Sequence, residues 1–205
     1  MPETKAFKNI DFYFDFLSPY AYLANHRLPH IIDKSLVPTK LRFISVDLGA
    51  LKSAIGNTGP GNRDLPVKLN YIKEDLNRWA TEYGVDINFP PNFNSGRLNR
   101  GLYFPACRGR EREYLDLAYQ AVWGQGQAPD GLSTTRLVAD GMGWEYEDFL
   151  QFIDGQESAD IYARETSSAI AKQIFGVPTF VIDGQRWWGN DRLHFLENYL
   201  MGDAK

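Results

Sequence analysis

The sequence contains a single cysteine, Cys107, among 205 residues. One thiol can form neither a disulfide within the chain nor a Cys-x-x-Cys pair, which excludes the dithiol exchange that such pairs perform. No stretch approaches the ~20 apolar residues of a membrane span, and the first residues, MPETKAFKNIDFYF, lack the apolar core of a secretory signal. We therefore expect a soluble, cytoplasmic protein in which Cys107 is structural.

An excess of charge is also lacking. The chain has 22 lysines and arginines against 26 aspartates and glutamates, a formal net charge of −4. This small excess gives no reason to expect a nucleic-acid or anionic-membrane partner. His26 and His30 are spaced as metal ligands on a helix would be, but no third ligand accompanies them, so we predict no metal site.

Positive charge is concentrated in one part of the chain. The arginines there are Arg97, Arg100, Arg108, Arg110 and Arg112. Such a cluster is typical of a solvated face, and the alternative function is attraction of an anionic ligand.

The first recognisable pattern is a strand, a helix and a second strand. IDFYFDF (10–16) is aromatic and β-branched with rough alternation, which is typical of a strand. Ser18 followed by Pro19 is a common helix start, and apolar residues continue that helix to about Lys34. TKLRFISVD (39–47) alternates again and predicts the second strand.

The middle and the end of the chain differ in character. The glycine-rich loop IGNTGPGNRD (55–64) is followed by helical patterns over 67–83, 108–123, 134–140 and 147–153. The end predicts a helix over 162–175, a hairpin over 176–189 around Asp183-Gly184, and a last helix over 190–200 that Asn190 or Asp191 caps.

The predicted order is therefore β-α-β, a helical insertion, and α-β-β-α, which makes the fold class α/β. Together with the motifs below, this order indicates a thioredoxin-like domain with a large all-helical insertion. We predict that residues 8–50 and 162–205 form the thioredoxin-like domain and that residues 51–161 form the helical domain.

Ser18 occupies the corner where the first strand leads into a helix. Backbone N–H groups and the positive end of the helix dipole point to such a corner, where they stabilise a thiolate. The second cysteine of a redox pair would fall at Ala21, so the hydroxyl of Ser18 can only hold a thiolate that a ligand brings. The alternative is that Ser18 is simply a helix cap. A serine hydrolase is not favoured, because no histidine is near in the sequence.

Two later segments carry related signals. Val177-Pro178 precedes a strand, and a cis peptide bond there would free the backbone of Val177 to pair with an extended peptide. The alternative is an ordinary trans proline at a strand start. In WWGNDR (187–192), the helix start is either an anion site with Asp191 beside it for an ammonium group, or a capped helix. Together with Ser18, these segments describe a pocket that suits glutathione.

Four segments carry a resemblance to a known family. They are DFYFDFLSPYAYLANHRL, AIGNTGPGNRDLPVKLNYIKEDLNRWA, FGVPTF and WWGNDRLHFLE. The chain resembles the 2-hydroxychromene-2-carboxylate isomerases, which belong with the kappa-class glutathione transferases in the DsbA-like branch of the thioredoxin superfamily. The likeness covers about residues 11–200.

The resemblance implies an isomerase that interconverts 2-hydroxychromene-2-carboxylate and trans-o-hydroxybenzylidenepyruvate in naphthalene breakdown, with glutathione added and released. Ser18 then matches the residue that holds the sulfur. The implied glutathione contacts are Ser18, Val177, Pro178, Trp188, Gly189, Asn190 and Asp191. The implied substrate contacts are Lys52, Asn62, Arg63 and Phe93. A homodimer is also implied.

The sequence departs from the family at Ala21, where a small polar residue is common, and along YFPACRGRERE (103–113). Two other functions therefore stay open at this point. One is a kappa-like glutathione transferase that conjugates other electrophiles. The other is a non-catalytic binding protein with a thioredoxin fold.

Overall fold

The computed structural model describes residues 7–202, apart from the side chain of Arg63. The strands are β1 (Lys8–Phe14), β2 (Thr39–Ser45), β3 (Thr179–Ile182) and β4 (Gln185–Trp188). The α-helices are α1 (Pro19–Asp33), α2 (Leu48–Ala54), α3 (Pro66–Tyr83), α4 (Gly96–Gly101), α5 (Glu111–Tyr119), α6 (Leu132–Met142), α7 (Tyr146–Asp154), α8 (Gln156–Ala171) and α9 (Leu193–Leu200). The predicted order, β-α-β, helices, α-β-β-α, is the order observed.

The four strands form one mixed sheet in the order β2-β1-β3-β4. β1 and β2 are parallel, whereas β3 is antiparallel to both β1 and β4. The predicted hairpin turns at Asp183 and Gly184, whose φ angles are +50° and +78°. Positive φ at both central residues is the geometry that matches the twist of a two-residue hairpin, and it explains the Asp-Gly pair.

Several boundaries differ from the prediction. α8 begins at Gln156, six residues before the predicted start, and the predicted 108–123 helix consists of α5 followed by a π-helical turn, Gln120–Gly124. The sequence patterns also missed α2 and α4, which have only seven and six residues. Elements this short present too few turns for a hydrophobic period to be recognised.

The predicted cap of the last helix is wrong. A 3-10 turn, Asn190–Arg192, precedes α9, and neither helix start has a side-chain cap. Asn190 is buried and accepts a hydrogen bond from the hydroxyl of Tyr83, while Asp191 pairs with Arg192. Both side chains are therefore engaged away from the helix start that they were expected to cap.

One aromatic core runs through the sheet and the helical segment. Phe12 of β1 stacks on Phe180 of β3, with ring centroids 4.7 Å apart. Phe16 packs against Tyr119 at 4.6 Å, and the indole of Trp123 donates to the carbonyl oxygen of Phe16 at 2.8 Å. The core is thus continuous across the boundaries between residues 50 and 51 and between 161 and 162, and the two-domain division stays a prediction.

Within residues 7–202, no helix is both long enough and apolar enough to cross a membrane.

The hydrogen bond between Trp123 and Phe16 predicts a difference between two tryptophans. Trp123→Phe leaves a buried carbonyl unpaired and opens a cavity, so we expect the free energy of unfolding to fall by about 2–4 kcal/mol. Trp188→Phe changes a ring that is 52% exposed, and we expect a change within about 0.5 kcal/mol. Urea unfolding followed by circular dichroism measures both, and equal losses would contradict the role assigned to Trp123.

Candidate active site

The pairing of β1 with β3 brings the predicted site segments to one end of the sheet. Tyr13 of β1 pairs with Thr179 of β3 in an antiparallel register. The chain that leaves β1 toward Ser18 therefore lies at the same end of the sheet as the chain that enters β3 through Val177 and Pro178. The peptide bond between Val177 and Pro178 is cis.

A backbone hydrogen bond connects the WWGNDR segment to this end of the sheet. The N–H of Gly189 donates to the carbonyl oxygen of Pro178 at 2.9 Å. α1 also contacts the Asn190–Arg192 turn. The structure thus places Ser18, the Val177-Pro178 segment and the 188–191 segment at one end of the sheet.

Ser18 is both a helix cap and an available donor. Its side chain is 5% exposed, and its oxygen accepts a hydrogen bond from the N–H of Ala21 at 3.2 Å. Within the described part of the chain, the Ser18 hydroxyl donates to no acceptor, and the N–H of Tyr20 is also without one. Capping therefore uses a lone pair of the serine oxygen and leaves its proton for a ligand. Among residues 7–202, no histidine forms a hydrogen bond with Ser18. Ser18 therefore has no general base that would make it a nucleophile.

The backbone of Val177 is the second uncommitted group. Its side chain is anchored in a small core with Tyr13, Ile44 and Ile174. Neither its N–H nor its carbonyl oxygen makes a hydrogen bond to any residue from 7 to 202. An anchored residue with both backbone groups free can pair with an extended peptide, as an added strand would.

Two glycines shape the neighbouring segment. Gly189 has φ +98° and ψ 156°, a backbone region open almost only to glycine, and a Cβ there would lie 2.6 Å from the Oδ1 atom of Asp191. At Gly176, a Cβ would lie 2.7 Å from the indole nitrogen of Trp188. The Trp188 ring therefore rests on the Gly176 backbone, with its edge against Phe175 at 5.0 Å between centroids.

Asn190 is the third uncommitted group. The side chain is 2% exposed, its Oδ1 accepts from the Tyr83 hydroxyl at 3.3 Å, and its Nδ2 has no partner among the described residues. An unpaired buried donor costs about 1–3 kcal/mol, so an acceptor brought by a ligand would be strongly favoured here. A carboxylate is such an acceptor, and Asp191 beside it, which pairs with Arg192 in this structure, is a carboxylate of the kind that an ammonium group needs.

The predicted substrate contacts reach this region to different extents. Phe93 packs on Trp123 with ring centroids 6.2 Å apart. The indole N–H of Trp123 donates to the carbonyl oxygen of Phe16, two residues before Ser18. Lys52 lies half-buried on α2. The backbone N–H of Leu48, the first residue of this helix, donates a hydrogen bond to the carboxylate of Asp15. Asn62 is exposed in a 3-10 turn and makes no bond to the corner, and the side chain of Arg63 lies outside the described structure.

Sequence reasoning did not select Asp15, which is 2% exposed and lies three residues before Ser18. Its carboxylate receives hydrogen bonds from four groups, and burial nevertheless raises its pKa. Asp11, on β1, instead forms an ion pair with Arg42 at 2.6 Å. The one available signal was the position of an aspartate next to the corner, because Asp commonly bonds the N–H two residues later.

The arginine cluster makes structural contacts. Arg97 pairs with Asp154, Arg110 with Glu113, Arg112 with Asp116, and Arg100 donates to the carbonyl of Ile153. These surface ion pairs favour the predicted solvated face over ligand attraction, although Arg108 makes no such contact within residues 7–202.

Neither Cys107 nor the two histidines adds chemistry to the site. Burial raises the pKa of the Cys107 thiol to about 12, which keeps it protonated and unreactive. The rings of His26 and His30 lie 6.4 Å apart, and no group of three potential metal ligands occurs among the described residues.

Comparison with known proteins shows the family and the fold of the chain. Residues 9–201 match the DSBA-like thioredoxin domain family. The 2-hydroxychromene-2-carboxylate isomerase of Pseudomonas sp. (strain C18) is 46% identical over 193 residues, which cover 94% of this chain and 90% of that protein. Glutathione S-transferase kappa 1 of Homo sapiens is 26% identical in an alignment of 209 positions, gaps included, that covers 94% of this chain and 91% of that protein.

A solved structure of a 2-hydroxychromene-2-carboxylate isomerase is 44% identical, covers 94% of each chain and superposes with a TM-score of 0.89. These likenesses confirm the predicted thioredoxin-like fold with helices inserted between its two halves. The chain therefore belongs to the DSBA-like thioredoxin domain family and, within it, to the family of the 2-hydroxychromene-2-carboxylate isomerases.

Proposed function

We propose that the protein is a glutathione-dependent isomerase that interconverts 2-hydroxychromene-2-carboxylate and trans-o-hydroxybenzylidenepyruvate in the breakdown of aromatic hydrocarbons. The observation that carries this proposal is the set of uncommitted polar groups at one end of the sheet, in a chain of the isomerase family. The cytoplasmic location and the homodimer stay predictions.

The residues at the corner fit glutathione. The hydroxyl of Ser18 suits the sulfur, and the free N–H and carbonyl of Val177, next to Pro178, suit the cysteinyl unit. The unpaired Nδ2 of Asn190 suits the α-carboxylate of the glutamyl end, and the carboxylate of Asp191 suits its ammonium. Trp188 and Gly189 would line the glutathione site on this side. We propose these as the glutathione contacts.

When bound, glutathione supplies a thiolate that adds reversibly to the conjugated double bond of the substrate. This bond is then single and can rotate before the thiolate leaves and the double bond forms again. The residues around it keep the sulfur charged. A free thiol has a pKa of about 8.5, and one hydroxyl donor with the N-terminus of α1 lowers such a pKa by roughly one to two units. The N–H of Tyr20, which has no acceptor within residues 7–202, adds to the field there.

The substrate is an aromatic carboxylate, which needs a cation and an apolar wall. We propose Lys52 as the cation and Phe93 as part of the wall, with Phe89 and Trp123 behind it. Phe89 meets Trp123 edge to face at 5.7 Å between centroids. Asn62 and Arg63 stay predicted contacts from the loop before α3.

The proposed activity predicts a specific dependence on glutathione. We expect the purified protein to convert trans-o-hydroxybenzylidenepyruvate, followed by its absorbance, only when glutathione is present, and without consuming it. Glutathione is added at a concentration far below that of the substrate, because complete conversion then requires each glutathione molecule to be used many times. Stoichiometric consumption with a stable conjugate would instead indicate the transferase, and bound glutathione without turnover would indicate a binding protein.

Loss of the Ser18 hydroxyl is expected to raise the pKa of the bound glutathione thiol. A hydrogen bond to a charged group contributes about 1.5–3 kcal/mol, so Ser18→Ala should lower kcat/KM roughly 10- to 100-fold. The thiolate absorbance near 240 nm, titrated against pH, measures the pKa of the thiol. Ser167→Ala is the matched control, since the Ser167 hydroxyl is exposed on α8 and bonds only its own helix. Equal behaviour of the two variants would contradict the role of Ser18.

The backbone of Gly189 is expected to control glutathione affinity. Gly189→Ala cannot keep φ +98° and would push on Asp191, so the affinity for S-methylglutathione should fall by about tenfold or more. Gly202→Ala is the control, because Gly202 also has a positive φ, +80°, but a Cβ there would meet no atom of the described residues within 4 Å. Calorimetric titration measures both, and an unchanged affinity in Gly189→Ala would remove this segment from the site.

A further inference from the structure

Asp15 is a buried carboxylate that the proposed reaction does not use directly. Its Oδ1 accepts from the N–H of Leu17 at 3.0 Å, from Nδ2 of Asn99 at 2.8 Å and from the hydroxyl of Ser95 at 2.5 Å. Its Oδ2 accepts from the N–H of Leu48 at 3.1 Å. These donors belong to three separate segments of the chain: the loop before Ser18, the start of α2, and the α4 region.

The first segment is the turn that presents Ser18. The N–H of Leu17 is bonded to the Asp15 carboxylate, and the N–H of Ser18 donates to the Asp15 carbonyl oxygen at 2.9 Å. Asn99 strengthens the same turn, because its Oδ1 accepts from the N–H of Phe16 at 3.1 Å. Each peptide N–H between Asp15 and Ser18 is thus tied to Asp15 or to its partner Asn99, which fixes the direction of the Ser18 side chain.

The second segment carries Lys52. Leu48 is the first residue of α2, and Lys52 lies one turn later on the same face of that helix. The start of α2 is fixed on its other side by Thr166 of α8, whose hydroxyl oxygen accepts from the N–H of Asp47 at 3.1 Å. The carboxylate of Asp15 therefore fixes the position of Lys52 relative to Ser18, because it binds the backbone N–H groups of both Leu17 and Leu48.

We propose that Asp15 is a positioning residue that holds Ser18 and Lys52 in a fixed relation, so that sulfur activation and recognition of the substrate carboxylate occur on one substrate. This inference rests on the proposed function of the site. A carboxylate suits the role because its two oxygens accept from donors on both sides. An asparagine has one acceptor oxygen, and its NH₂ group would face an N–H of Leu17 or Leu48.

The test compares Asp15→Asn with Asp11→Asn. Asp11 lies on β1, four residues before Asp15, and its carboxylate pairs with Arg42 at the surface. For Asp15→Asn we expect a higher pKa of the bound glutathione thiol, a KM for the substrate raised at least about threefold, and kcat lowered about tenfold. The affinity for S-methylglutathione should change less than about threefold, since Val177 and Asn190 are untouched. Asp11→Asn should leave all four quantities unchanged.

Double variants separate positioning from a general loss of structure. Because Asp15 is proposed to act through both residues, Asp15→Asn should raise the thiol pKa no further in a Ser18→Ala background, and it should raise KM no further in a Lys52→Ala background. Additive effects in either cycle would overturn the proposal. So would an unchanged thiol pKa and KM in Asp15→Asn.

Two further measurements keep the outcome decisive. If Asp15→Asn does not fold, Ser95→Ala removes one donor to the same carboxylate and should show the same changes at smaller size, with Ser167→Ala as control. If the wild-type protein binds glutathione but does not isomerise the substrate, the proposed function fails, whereas the thiol pKa cycle with Ser18→Ala still tests Asp15. Additive effects of Asp15→Asn and Ser18→Ala on the thiol pKa would then be sufficient to overturn the role of Asp15.

Discussion

The candidate site depends on a buried carboxylate that is satisfied by neutral donors. Within the described structure, the side chain of Asp15 meets two backbone N–H groups, an amide and a hydroxyl. Moving a carboxylate out of water is costly, and the hydrogen bonds offset that cost only while all of the donors stay in place. Because these donors come from three segments distant in sequence, the carboxylate is satisfied only when the sheet, α2 and α4 are assembled, and the Ser18 turn takes its shape from that assembly.

The aromatic core connects this corner to the helical segment. Phe16 packs on Tyr119, and its carbonyl is bonded to Trp123, which in turn supports Phe89 and Phe93. The aromatic wall proposed for the substrate is therefore attached to the same short stretch of backbone that leads to Ser18. The helical segment therefore shares its core with the backbone that precedes Ser18, through Tyr119 and Trp123.

The absence of cysteine from the corner changes the chemistry that the fold can perform. Ser18 offers a proton and the N-terminus of α1 offers positive potential, but neither can exchange a disulfide. The other buried polar atoms without a partner among the described residues belong to Asn25 on α1, Arg100 on α4 and Trp144. At the end of the sheet that carries Ser18, the structure also places the unpaired amide of Asn190 and the free backbone N–H and carbonyl oxygen of Val177, and these groups are the basis of the glutathione site that we propose.

The sequence by itself determined the order of the elements and the corner, because these depend on residues close in the chain. Ser18-Pro19 predicted the start of α1, and Asp183-Gly184 predicted the hairpin, since each signal is a local backbone preference. Tertiary structure decided the rest. Asp11 and Asp15 look alike in the alternating strand, yet packing exposes one to Arg42 and buries the other under α4. Asn190 was expected either to cap the last helix or to contact a ligand. Tertiary packing buries its side chain, where Oδ1 accepts from the hydroxyl of Tyr83, 107 positions away, and Nδ2 has no partner among the described residues.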